Sequence, residues 1–284
     1  MLNKVIYFQA KQINQNKVTF SLILLTSIIV LFIGYVHATL LQAITYLVVI
    51  LLCTFCIDYF YLIRPVNSGF IVKNPKRESL YFLGTILLGM VFFYFRFSSA
   101  VSWEHLNPYL KLAVIPFIIF IFPIGLAIII LLLKYKPYDV GFRLQGLQGA
   151  LPLIVICAIA GSLVTPQSLT WNAVMQEEGN IFGLIFSGII TAGLSEEFFR
   201  VIGQTRIGAW INNKGMGWYI TTYLWAFMHA PKWYSEEHNI SEAILGSVRI
   251  IPIGLMWGYL TNRTKSILPA TIVHGVNFGG LQNF

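Results

Sequence analysis

Nine apolar stretches follow one another along a chain of 284 residues, at about 18–36, 40–63, 79–98, 110–133, 149–165, 181–199, 216–231, 241–261 and 266–282. Each is close to the length needed to cross bilayer hydrocarbon. With 57% hydrophobic and 11% charged residues, the chain lacks the polar surface that a soluble domain of this size requires. The fold class expected is therefore all-α: a polytopic transmembrane helix bundle of about 8–9 spans.

Charge then sets the expected orientation. With the N-terminus cytoplasmic, Lys4, Lys11, Lys17, Arg64, Lys73, Lys76, Arg77, Lys134, Lys136, Arg143, Arg200, Arg206, Lys214, Arg263 and Lys265 collect on the inner side, against Arg96, Lys111 and Lys232 outside. The formal net charge of +8 thus reads as a topology signal and not as a nucleic-acid footprint. Glu177-Glu178 and Glu236-Glu237 fall outside as solvated loop charges. Cys53-Thr-Phe-Cys56 has the spacing of a redox or metal pair. It lies within an apolar helix with no second pair, so two small core residues one turn apart is the better reading. No linker divides the chain. Intramembrane polar groups nevertheless concentrate after Ser195, which separates N-terminal transmembrane helices, 1–148, from a site-bearing region, 149–284.

The polar residues inside that second region carry the chemistry. Gly193-Leu-Ser-Glu-Glu-Phe-Phe-Arg200 ends an apolar run with three charged side chains, each costing roughly 2.5–3.5 kcal/mol at a bilayer centre. Glu196 and Arg200 are four residues apart on one helical face in the favourable order for an ion pair, and Glu197 points about 100° away. As a structural clamp, Glu196 and Arg200 neutralise one another and Glu197 is solvated at the boundary. Two later apolar segments contain one histidine each, His229 and His274, with Asn277 shortly after the second.

A glutamate, two histidines and an asparagine are a parts list for amide hydrolysis. The glutamate is a general base on water, one histidine an acid/base partner, and the other histidine with the asparagine a cradle for a developing oxyanion. Glu196, His229 and His274 are also a Zn ligand set, although their ligands would come from three separate helices. Each histidine read alone is equally a structural hydrogen-bonding group between helices. Trp225, one turn before His229, walls the pocket. Arg249, ahead of Pro252, is a counter-ion to a glutamate or a contact for lipid or a substrate carboxylate. Asp58 and Arg96 read as interfacial snorkelling groups. Glu196 and His229 lie at different depths unless the glutamate-bearing helix continues through Arg206 to about Ala209.

A Glu-Glu pair and an Arg, an aromatic-x-x-x-His helix and a His helix with a nearby Asn, in this order, resemble the CPBP family. That family comprises the type II CAAX prenyl endopeptidases and the bacteriocin-processing and immunity-type (Abi) membrane proteases. The resemblance covers about residues 150–284. It implies a metal-independent intramembrane endopeptidase of the bacterial plasma membrane, with no cofactor, acting on a membrane-embedded peptide or lipoprotein. In the roles implied, Glu196 is the base, Glu197 supports it, Arg200 orients Glu196, His229 is the acid/base partner, and His274 and Asn277 are the oxyanion donors. The spacing differs from the family pattern in two places. Two residues, not three, separate the Glu pair from Arg200, and aligning on Arg200 puts Ser195 at the first glutamate. Asn277 follows His274 by three residues instead of four. Two other function classes share these parts: a non-catalytic immunity or interaction protein that binds a peptide in the same cavity, and a proton-coupled transporter.

Overall fold

The computed structural model describes residues 1–63, 66, 69–97, 133–144, 146–164, 185–276 and 282. Asn277, His105, Lys111, the Glu177-Glu178 pair and nearly all of the apolar segment 110–133 lie outside the described residues.

Every regular element among the described residues is helical. In chain order they are α1 (Leu2–Gln15), α2 (Lys17–Val36), α3 (Leu40–Ile63), α4 (Pro75–Phe97), a 3₁₀ turn (Pro137–Val140), α5 (Leu147–Val164) and a π-helical segment (Ile185–Leu194). Then come α6 (Ser195–Trp210), α7 (Lys214–Phe227), α8 (Ala230–Glu237), α9 (Ile240–Arg249), α10 (Ile251–Thr264) and α11 (Leu268–Val276).

Among the described residues, three stretches are long and apolar enough to cross a membrane: Lys17–Val36, Leu40–Leu62 and Ile240–Thr264. The first two are only 28% buried over their most apolar window, whereas the third is 72% buried and runs through the middle of the bundle. Leu24, Leu25, Ile28 and Phe32 of α2, with Leu41, Val48, Leu51 and Leu52 of α3, are exposed on the outside. Thr26 and Asp58 are buried on the inside. An apolar exterior around polar interior groups suits a bilayer as solvent, and the chain is an integral membrane protein.

Polar side chains fix the interior in three places. Tyr46 of α3 accepts a hydrogen bond from the Ile253 N–H (3.0 Å) and donates to the Arg249 carbonyl (3.0 Å). Those two backbone groups are an i→i−4 pair, so the tyrosine hydroxyl is inserted where the helix ladder would otherwise close. Together with Pro252, which has no N–H to give, it splits one apolar segment into α9 and α10. Asp58 is buried and receives Tyr259 Oη (2.6 Å) and Gln9 Nε2 (3.0 Å), with Arg263 paired at 3.1 Å. This corrects the interfacial reading of Asp58: it is the junction of α1, α3 and α10. Glu78 and Arg206, also buried, join α4 to α6 at 3.0 Å.

The π segment packs along α11 at very short range. A Cβ on Gly193 would stand 2.5 Å from the Thr271 carbonyl oxygen, so only glycine allows the approach. Regular α geometry resumes at Ser195, immediately before the glutamate pair. Such π turns recur beside functional sites.

Candidate active site

The glutamate-bearing helix does extend, reaching Trp210, and this brings Glu196 to the histidines of two other elements. Glu196 Oε1 lies 3.9 Å from His229 Nε2, and Glu196 Oε2 lies 3.7 Å from His274 Nε2. The carboxylate is 27% exposed and His229 29%, so both open onto a space, while His274 is 11% exposed. The Trp225 indole N–H donates to Glu196 Oε2 at 2.6 Å and fixes the direction in which the carboxylate faces.

His229 sits just past α7, in the turn that leads into α8. Its Nδ1 is 3.0 Å from the Trp225 carbonyl. A carbonyl only accepts, so Nδ1 carries a proton and Nε2 is the nitrogen that faces Glu196. The rings of Trp225 and His229 meet edge to face at 5.0 Å, which holds the imidazole in that orientation.

His274 on α11 is held more tightly. Its ring stacks on Trp257 of α10 with centroids 3.7 Å apart and planes 14° from parallel. Its Nδ1 donates to Glu197 Oε1 at 2.9 Å. Arg200 Nη2 approaches the same nitrogen at 3.4 Å, donor against donor, so it contributes charge and not a hydrogen bond.

Arg200 pairs with Glu197 and not with Glu196, which corrects the expected Glu196–Arg200 pair. Positions i+3 and i+4 are both within reach on a helix, and burial decides between them. Glu197 is 0% and Arg200 1% exposed, and a buried charge left alone costs far more than a partly solvated one. Arg200 Nη1 also donates to the Gly254 carbonyl at 3.0 Å. Its guanidinium lies over the rings of Trp225 (4.5 Å) and Trp257 (5.0 Å). A Cβ on Gly254 would enter Trp225 at 2.6 Å, so that glycine is what lets the indole reach Glu196.

Arg200 therefore orients Glu197 and, through it, His274. Trp225 takes the orienting role towards Glu196. Arg249 lies over Trp233 at 5.4 Å. Sequence reasoning missed Trp257 and the Glu197–His274 bond. Nothing in a single sequence distinguishes Trp257 from the other aromatics of an apolar span. Cys53 and Cys56 of α3 are not joined in a disulfide. Among the described residues no three of His, Cys, Asp and Glu form a metal-binding group.

An acid facing two imidazoles inside a helical membrane protein defines a class, that of proteins with an acid–base site enclosed by their own helices. Residues 177–278, which carry all of these groups, match the family model described as type II CAAX prenyl endopeptidase Rce1-like, a match that supports a likeness of this stretch to the CPBP/CAAX proteases. That family consists of membrane-embedded proteases acting on membrane-associated peptides. No curated protein and no solved structure matches the chain.

Proposed function

We propose that the chain is an intramembrane endopeptidase that hydrolyses membrane-associated peptides, prenylated CAAX-type or bacteriocin-like, with a glutamate-activated water and no metal. The observation that carries this reading is Glu196, pinned by Trp225, with both histidine Nε2 atoms within 4 Å. Separations of 3.7 and 3.9 Å are too long for direct hydrogen bonds and suit a water lying beside the three groups.

In this mechanism Glu196 removes a proton from the water, whose oxygen forms the new bond to the scissile carbonyl carbon. His229 Nε2 accepts the second water hydrogen and orients the nucleophile. The carbonyl oxygen becomes an oxyanion facing His274 Nε2. With Nδ1–H committed to Glu197, that nitrogen donates only when the ring carries both protons, the charged ring then sharing the buried Glu197 carboxylate with Arg200. Asn277, in the same segment, is the second oxyanion donor. The C–N bond then breaks as Glu196 passes its proton to the amine, and the new acid loses its remaining proton through His229.

We place the protein in the bacterial plasma membrane with a cytoplasmic N-terminus and up to nine spans. Residues 1–148 form a supporting region and residues 149–284 the protease domain. The test is cleavage of a panel of membrane-associated and prenylated peptides by purified protein, beside Glu196→Gln and His229→Ala, with and without a strong chelator. Cleavage that survives chelation and is lost in both variants is expected. Loss on chelation would make Glu196, His229 and His274 metal ligands, and a folded but inert wild type would favour an immunity protein that binds peptide without cutting it.

A further inference from the structure

Away from the hydrolytic site, a cavity of about 220 Å³ opens between α1, the start of α2, the start of α7 and the end of α10. Its lining includes Lys214, Arg263 and Lys265 and, among the described residues, no acid. The nearby carboxylate, Asp58, is already held by Tyr259, Gln9 and Arg263. Among the described residues Lys214 and Lys265 have no carboxylate partner, so two ammonium groups are in surplus around one space.

Three further observations converge there. The Thr19 hydroxyl lines the cavity, is 1% exposed and has no hydrogen-bond partner among the described residues. Helix α7 begins at the cavity, and its first turn contains no acid but does contain Lys214, a cation at the end where the helix dipole favours an anion. Gly215 permits this approach, since a Cβ there would stand 2.7 Å from Asn16 Oδ1. Burial, reinforced by the fields of Lys214, Arg263 and Arg143, pushes the Lys265 ammonium down to about 8, as expected where cations converge without a counter-charge.

Helix α1 tells which anion is at hand. It carries Lys4 and Lys11 and no acid, and Ile6, Tyr7 and Ile13 are exposed, the composition of a helix that lies in a membrane interface. Its Phe8 lines the cavity and sits beneath Arg263 at 4.5 Å. We propose that this cavity is a binding site for a phosphate-bearing anion, and that its occupant is the phosphodiester headgroup of an anionic phospholipid from the leaflet on which α1 rests. Lys214 and Lys265 neutralise the phosphate, Thr19 donates to it, and the free N–H groups of the first turn of α7 complete the cradle.

The test is native mass spectrometry and thermal unfolding of the full chain in detergent, titrated with short-chain phosphatidylglycerol, short-chain phosphatidylcholine or inorganic phosphate. Saturable binding and stabilisation by phosphatidylglycerol, absent with phosphatidylcholine, are expected. Lys214→Ala with Lys265→Asn should weaken binding about tenfold or more. Asn suits the left-handed backbone at 265, where φ is 55°. Thr19→Ala is the milder second variant, Lys214→Arg should retain binding, and Lys4→Ala with Lys11→Ala should leave it unchanged. Phosphate binding as tightly as the lipid would overturn the lipid as occupant. Phosphatidylglycerol affinity unchanged in both the double lysine variant and Thr19→Ala would overturn the site itself.

Discussion

Helix α6 carries two buried arginines, and their surroundings differ in kind. Arg206 meets Glu78 at 3.0 Å in a closed network. Tyr135 donates to both oxygens of Glu78 (2.8 and 2.9 Å), the Asn74 N–H donates at 2.7 Å, and the two remaining guanidinium nitrogens reach Thr205 Oγ1 and the Ile71 carbonyl. Arg200 meets Glu197 in an open one. Glu197 Oε2 and Arg200 Nε have no hydrogen-bond partner among the described residues, and the carboxylate's other oxygen holds a histidine that faces a second, half-solvated glutamate. Saturated valences leave Glu78–Arg206 nothing to do but hold α4 to α6. The unsaturated pair holds a side chain whose other nitrogen points at Glu196, and this difference separates a clamp from a candidate site on one helix.

On that separation, Glu196→Gln gives the largest loss. Cleavage should fall by about 10²–10⁴-fold, as for removal of a general base, with the melting temperature unchanged. A large drop in thermal stability would instead assign Glu196 to the clamp side of the comparison. Next in size, Glu78→Gln should destabilise the fold by about 3–5 kcal/mol in denaturant unfolding, because it strands Arg206. Activity per folded molecule should be retained. Glu78→Leu combined with Arg206→Met should recover much of that loss, since a buried pair replaced by apolar groups of similar volume is tolerated. Glu197→Gln sharpens the contrast, because it should lower stability and turnover together, measured on the same preparation. Tyr46→Phe, which leaves the Arg249 carbonyl and Ile253 N–H to find each other or remain unmet, should cost about 1–3 kcal/mol. The smallest effect is one of pH. The folded Lys265 value, about 8, lies below the unfolded value, so the unfolded state binds the proton more strongly between the two. Thermal stability should therefore rise modestly as pH goes from about 8 towards 10.5, and Lys265→Asn should flatten that rise.

Much of this was legible in the residues. The order of Glu196, Glu197, His229 and His274 on three separate apolar segments identified the groups that meet. The need to bring them to one depth foretold the continuation of the glutamate helix past Arg206. Pro252, which has no N–H to give, marks in the sequence the place where α9 gives way to α10. Other features were not legible, for physical reasons. Spacing alone cannot choose between i+3 and i+4 partners, so the pairing of Arg200 with Glu197 required knowledge of which carboxylate is buried. Asp58 looked interfacial because its partners, Gln9, Tyr259 and Arg263, lie up to 205 positions away in sequence and only the fold assembles them. The π geometry of Ile185–Leu194 has no hydrophobic period of its own and is imposed by packing against α11.

Tyr46 has a further consequence for anyone who would express the family-like stretch by itself. The helix that supplies Gly254 and Trp257 to the site owes its first turn to a hydroxyl from α3, far upstream of residues 177–278. Arg206, within that matched stretch, likewise closes on Glu78 outside it. A chain trimmed to the recognisable motif would leave a bare guanidinium in its interior and let a helical break heal that should stay open. The smallest autonomous unit of this protein therefore begins upstream of Tyr46, and the boundary of the sequence signature is not the boundary of the machine.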